Sequence, residues 1–209
     1  MIYRTENFMN TTGNSNNHLA VWEKLKRGDI NTIEGVYNEY SHQLYQYGLK
    51  FTKNTQLIED CIQDLFSRII TNYKNFGKSD NPKIYLIRAF RNNLFRLMER
   101  EKRYLSPKTD DYHFEILFSA ESEIIESEET QRKETILKHG LGKLSSRQKE
   151  AIYLRYTKGL EYDEISGIMK MSIESCRNVI YKAIRSLREE INNSGIVLLL
   201  FFKKDTVLQ

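Results

Sequence analysis

Apolar residues recur at three- and four-residue steps along most of this 209-residue chain, the spacing of helices that bury one face. The clearest stripe covers residues 55–73. There Ile58, Cys61, Ile62, Leu65, Phe66, Ile69, Ile70 and Tyr73 share one side of a long predicted helix, with Thr55 as the expected N-cap. Upstream, Leu19, Trp22 and Leu25 predict a helix closed by Gly28-Asp29, and Ile33, Val36, Tyr37, Tyr40, Leu44 and Tyr47 predict a second. Residues 1–17 are rich in Asn and Thr without periodicity and read as a mobile arm. Residues 76–80 read as a loop. Asn81-Pro82 then restarts a helix that runs to about residue 103, Asn81 as cap and Pro82 in the first turn.

Residues 105–128 are acidic and weakly periodic, which places a domain boundary there. A helix follows over 129–141. Ser145 and Gln148 then have capping-box spacing before a helix bearing Ala151, Ile152 and Leu154, which Gly159 breaks. Residues 162–169 predict a short helix, Met171-Ser172 a turn and cap, and residues 173–191 a last long helix with Val179, Ile180, Ala183, Ile184 and Leu187 inward. Two prolines and ten glycines supply too little turn punctuation for a β-architecture. The predicted fold is all-α. Two small helical domains, 18–104 and 129–192, are joined by the acidic linker 105–128 and followed by an apolar and basic tail, 193–209, and the second domain contains a helix-turn-helix.

The formal net charge of +4 is a mild bias, but its distribution is uneven. Residues 83–103 hold seven Lys/Arg against two acids, residues 105–134 nine acids against three Lys/Arg, and residues 143–188 ten Lys/Arg against five acids. Two basic blocks around an acidic segment suit two DNA-contacting modules joined by a linker that avoids DNA. Cys61 and Cys176 stand far apart, and His18, His42, His113 and His139 are scattered. No disulfide framework or metal-ligand spacing results, so neither metal nor cofactor is expected, and a reducing cytoplasm is. The N-terminus lacks a basic segment followed by an apolar one. The longest apolar run, 196–202, has seven residues where a membrane span needs about 20.

Three constellations carry chemistry. In the first, a short helix, a tight turn and a longer basic helix form the layout in which the second helix enters the DNA major groove. Its outward candidates are Ser172, Glu174, Ser175, Arg177, Asn178, Tyr181, Lys182 and Arg185. Arg suits guanine, Asn suits adenine, and Lys182 and Arg185 suit phosphates. An amphipathic hairpin in a bundle has the same periodicity. In the second, the 81–103 helix sets Ile87, Phe90, Leu94 and Leu97 on one face and Tyr85, Arg88, Asn92, Arg96 and Arg103 on the other. Basic residues interleaved with an aromatic suit single-stranded DNA, although a solvated basic face looks alike. In the third, Glu59, Asp60, Gln63 and Asp64 form a polar helix side without a nearby His, which fits a solvated or protein-docking face rather than a nuclease site.

Both halves resemble the extracytoplasmic-function (ECF) class of sigma factors, in a style similar to those of the Bacteroidetes. Gly28-Asp29 with Tyr37 and Tyr40 resembles the class opening. The run Ile58-Glu59-Asp60-Cys61-Ile62-Gln63-Asp64-Leu65-Phe66 resembles its polymerase-docking signature, and Tyr85-Leu86-Ile87-Arg88-Ala89-Phe90-Arg91-Asn92 its promoter-melting helix. Leu144 to Gln148, Gly159-Leu160, Tyr162 to Ile165 and Met171 to Arg188 resemble its upstream-element reader. The resemblance implies a transcription initiation factor without catalysis or a small-molecule substrate. Its partners would be core RNA polymerase, through the clamp and flap regions, promoter DNA and an anti-sigma factor. It implies that Glu59, Asp60, Gln63 and Asp64 lie in the clamp-docking segment, with Phe66 packed inside. It places Phe76, Lys78 and Ser79 in a loop that captures a flipped base of the minus-ten element, with Tyr85, Arg88, Asn92 and Arg96 facing the melted strand. Arg177, Asn178, Tyr181 and Lys182 would read the minus-thirty-five element, within the set Ser172, Glu174, Ser175, Arg177, Asn178, Tyr181, Lys182 and Arg185.

The chain departs from the class where Asn81-Pro82 replaces bulky residues before the melting helix, where Tyr85 stands for a frequent Trp, and where Glu161 stands for a capping Ser or Thr. These departures leave base preference open. The apolar tail 196–202 is outside the resemblance, and packing on the second domain is the expectation for it. A stand-alone regulator with one helix-turn-helix predicts a dimer on a palindrome. An enzyme on nucleic acid needs a carboxylate cluster or an activated nucleophile, and the sequence offers neither.

Overall fold

The computed structural model describes residues 22–25, 27, 29–72, 81–105, 112–116 and 128–193. Every regular element among them is helical. They fall into two compact units divided between Lys108 and Thr109.

The first unit packs three long helices: α1 (Ile33–Gly48), led in by a 3-10 turn over Ile30–Thr32, α2 (Thr55–Thr71) and α3 (Pro82–Leu105). The start of α2 differs by one residue from expectation. Asn54 is its cap, accepting the Leu57 N–H at 3.1 Å, and Thr55 is the first helical residue. Asn81 caps α3 as expected, accepting from Ile84 N–H at 3.4 Å. The stripes of α2 and α3 meet in a core of Ile58, Cys61, Leu65 and Ile69 against Leu86, Phe90 and Leu94, all buried. Burial pushes the Cys61 thiol up to about 12, with the Asn93 amide that donates to its sulfur working the other way. Close approach of α1 depends on Gly48, where a Cβ would stand 2.8 Å from Ile58 Cγ2 and 3.1 Å from Phe90 Cζ. Trp22, 1% exposed, belongs to this core and packs its ring 5.5 Å from that of Tyr85. Ile70 leaves the stripe, 38% exposed, and Tyr73 is outside the described residues.

The second unit contains α4 (Glu128–Gly142), α5 (Ser146–Ile152), α6 (Tyr162–Met169) and α7 (Ile173–Asn193). The predicted capping box starts α5: Gln148 N–H donates to Ser145 Oγ at 3.3 Å and Ser145 N–H to Gln148 Oε1 at 2.9 Å. The helix then widens into a π-helical turn over Tyr153–Thr157 and ends at Gly159, whose φ of 68° lies in the left-handed region. On α7 the buried stripe is Cys176, Ile180, Ala183 and Leu187. Val179 and Ile184, expected inward, are half-buried, because Cys176 rather than Val179 faces the core.

Residues 112–116 lie within the segment read as an acidic linker, and they pack on the second unit. Phe114 is fully buried against Tyr153, with ring centroids 5.7 Å apart, and the Tyr112 hydroxyl donates to Glu150 Oε2 at 2.5 Å. Glu150 is itself fully buried, so this bond satisfies a carboxylate that burial would otherwise penalise. The arm 1–17 and most of the tail 193–209 fall outside the described residues.

Candidate nucleic-acid interface

The tight turn between α6 and α7 is made by Lys170, at φ 51° and ψ 55°, a left-handed conformation that costs a non-glycine residue about 1 kcal/mol. Ile165, Ile168 and Met169 on α6 and Cys176 and Ile180 on α7 bury the inner side of the corner. Ser172 caps α7, its Oγ accepting from Ser175 N–H at 3.1 Å and donating to Ser175 Oγ at 2.8 Å. At α6 the unusual cap Glu161 functions through its neighbours. Its N–H donates to Glu164 Oε2 at 2.8 Å, and its own carboxylate holds Arg155 at 2.7 Å.

All eight predicted residues of α7 and its cap, namely Ser172, Glu174, Ser175, Arg177, Asn178, Tyr181, Lys182 and Arg185, are exposed. Tyr181 is 64% exposed, a large ring offered to solvent. Arg185 bonds Glu189 at 2.9 Å, one turn on. The Arg177 guanidinium lies 5.7 Å over the Tyr162 ring, and that of Arg155 lies 4.7 Å over the same ring. Sequence reading placed Tyr162 in the short helix of the reader but not its contact with Arg177, since positions 15 residues apart leave no local pattern. Ile173 was likewise read only as the start of the helix, and it is 43% exposed.

In the first unit, Glu59, Asp60 and Gln63 are exposed along α2, with Gln56 donating to Asp60 at 2.8 Å. Asp64 points differently. Its carboxylate accepts from Asn93 Nδ2 at 2.9 Å and from Arg68 Nε at 3.1 Å, and Arg96 stands 3.8 Å away. Arg96 also donates to Asn93 Oδ1 at 2.6 Å, so Asp64, Asn93 and Arg96 form a polar clasp between α2 and α3. Asn93 is 8% exposed, which a polar residue between two basic ones does not announce in sequence. Phe66 is buried and meets the half-exposed Tyr37 edge-on at 5.0 Å.

On α3, Arg88 is exposed and Asn92 half-buried. Tyr85 is half-buried, and burial raises its hydroxyl pKa, with the nearby Arg88 charge opposing the rise. Arg91, whose side was not assigned from sequence, is 6% exposed with its guanidinium 4.2 Å over the Phe95 ring. A cleft of about 230 Å³ between α2 and α3 is lined by Leu65, Arg68, Ile69, Asn72, Tyr85, Ala89 and Asn93. Phe76, Lys78 and Ser79, and the side chain of Arg103, lie outside what is described.

Two domains, one a helix-turn-helix and the other a helical bundle with a polar-aromatic cleft, are thus in place. The description "Sigma-70 region 2" matches residues 36–104, and "Sigma-70, region 4" matches residues 135–187. The chain belongs to the sigma-70 family. It is an RNA polymerase sigma factor, acting in promoter-directed initiation of transcription. It is similar to the ECF RNA polymerase sigma factor SigM of Bacillus subtilis (strain 168), 26% identical over 79% of this chain and 98% of that protein. The RNA polymerase sigma factor YlaC of the same organism is 21% identical over 78% of this chain and 94% of its own length.

Two solved structures share the fold of this sigma factor. One is the sigma factor RpoE in complex with the anti-sigma factor NepR from Bartonella quintana (TM-score 0.54, 18% identity, 76% of this chain and 96% of that one). The other is CnrH in complex with the cytosolic domain of CnrY (TM-score 0.52, 15% identity, 84% and 97%). Among the described residues no helix is long and apolar enough to cross a membrane, and no three His, Cys, Asp or Glu converge on a metal position.

Proposed function

We propose that this sigma factor is of the ECF class and works in the cytoplasm by binding and DNA remodelling, without covalent catalysis. Glu59, Asp60 and Gln63 form its docking face for the polymerase clamp. Asp64 supports that face from behind, through its bonds to Asn93 and Arg68. The cleft beside Tyr85 receives an unstacked base of the minus-ten element, while Arg88, Asn92 and Arg96 follow the strand backbone. Stacking of about 1–3 kcal/mol per base is comparable with the cost of unstacking, so melting needs the polymerase contacts in addition. The second unit reads the minus-thirty-five element and meets the flap. The residue ranges 18–104 and 129–192 are the functional halves in this reading, and residues 112–116 go with the second. The neighbour solved with the anti-sigma factor NepR prompts a further proposal, that a regulator of that kind holds this chain too.

The observation that carries this reading is the exposure of all eight polar and aromatic candidates of α7, while Cys176, Ile180, Ala183 and Leu187 anchor the helix. An amphipathic bundle helix exposes polar residues too; what favours DNA is that Arg177, Asn178, Tyr181 and Lys182 stand together on the helix that follows the tight turn at Lys170, where a base-reading helix carries its contacts. The test is run-off transcription from a pool of genomic promoters with core RNA polymerase of the source organism. Discrete start sites that need this protein, and that vanish with Arg177→Ala/Lys182→Ala, are expected. No transcripts together with no complex with core polymerase on a sizing column would overturn the reading.

A further inference from the structure

The buried stripe of α7 begins at Cys176, and Ile173 precedes it by one turn. A single exposed aliphatic side chain is ordinary on a protein surface. The position of this one is not. It follows the left-handed Lys170 by three residues, opens the helix that is read as entering the groove, and lies one turn before Arg177. First-turn residues of such a helix meet base edges. Its polar neighbours Ser172 and Ser175 have their hydroxyls engaged with each other and with the helix N-terminus. Isoleucine has no donor or acceptor to offer a base. Among the groups on the major-groove edge, the thymine C5 methyl is the apolar one. The β-branched side chain is also stiff at χ1, which holds its Cγ2 methyl in one place.

We propose that Ile173 is a specificity-determining residue that reads a thymine methyl in the upstream promoter element. The inference rests on the reading of α7 as the minus-thirty-five helix. It adds a spacing rule. Residues four apart on a helix are separated by about 6 Å along its axis, and base pairs by about 3.4 Å. The thymine therefore lies one or two base pairs from the base whose preference depends on Arg177.

The experiment takes a promoter found in the run-off pool and the full chain bound to core polymerase. Each thymine of the upstream element, on either strand, is replaced singly by deoxyuridine, which lacks only the methyl group and leaves the protein untouched. One replacement is expected to lower promoter occupancy about three- to fivefold, the value of one buried methyl. Ile173→Ala is expected to weaken the thymine promoter by a similar factor and to make it indifferent to that replacement, while Ile173→Val keeps part of the discrimination. A working promoter with no methyl-sensitive position within two base pairs of the Arg177-dependent one overturns the inference. Undiminished methyl sensitivity in Ile173→Ala does the same. Failure of the underlying reading looks different: the unmodified chain then yields no start sites or no protection of an upstream element, and this inference falls with it.

Discussion

The Arg177 guanidinium rests 5.7 Å over the ring of Tyr162, so the helix residue best suited to read guanine is steadied by the first residue of the preceding helix. The same ring carries Arg155, which is fixed by Glu161 at 2.7 Å and by the Leu160 carbonyl at 2.9 Å. The base reader is thereby tied through one aromatic ring to the frame of its own domain. Tyr162→Ala is expected to weaken promoter binding about two- to fivefold, in line with a partly exposed cation–π contact, and to relax preference at the Arg177-dependent base. Tyr162→Phe keeps the ring and is expected to restore both. Competition between promoter fragments that differ at that base would measure it.

Folding and docking should separate on α2. Asp64→Ala removes the acceptor of the Asn93 amide and leaves that buried group short of a partner, a loss of about 1–3 kcal/mol of stability. Glu59→Ala and Gln63→Ala sit on the exposed side and are expected to change stability by less than about 0.5 kcal/mol. They are expected to weaken the complex with core polymerase instead. Urea denaturation alongside a polymerase-binding titration distinguishes the two effects.

Lys170 holds a left-handed backbone without being glycine. Lys170→Gly removes about 1 kcal/mol of backbone strain and adds some unfolded-state entropy, for a net gain of up to about 1 kcal/mol in the second unit. A higher denaturation midpoint is the expected result, and a lower one would show that the lysine side chain itself holds the turn.

Glu190 joins α7 to α4 through His139 at 3.1 Å, and to the turn that follows α4 through Lys143. The Lys143 hydrogen bond holds its carboxyl below the ordinary glutamate value of 4.5, burial opposing and His139 assisting. A depressed folded-state pKa means stability that is present above the unfolded value and lost as pH falls through the folded one. The native chain should therefore lose more stability between neutral pH and acid than Glu190→Gln does. Parallel denaturation midpoints across that range for the two proteins would contradict this.

The corners of the structure that were legible in sequence are those set by short-range rules. The Ser145/Gln148 box and the Asn81-Pro82 start stand where their spacing placed them, because a cap and its N–H groups lie within one turn of chain. Asn54 displaced Thr55 as a cap because both residues satisfy the same rule, and only the path of the chain chooses between them.

Amino-acid order alone determined which residues can share a helix face, and so the outward set on α7 and the buried stripes of α2 and α3, because periodicity is a property of one helix. Tertiary structure decided which polar side chains turn inward. Asp64 and Asn93 look like surface residues until a second helix supplies their partner. It also decided that Phe114, in a stretch whose acidity reads as a spacer, fills a place against Tyr153. Burial depends on what arrives from 39 residues away, and no local pattern contains that information.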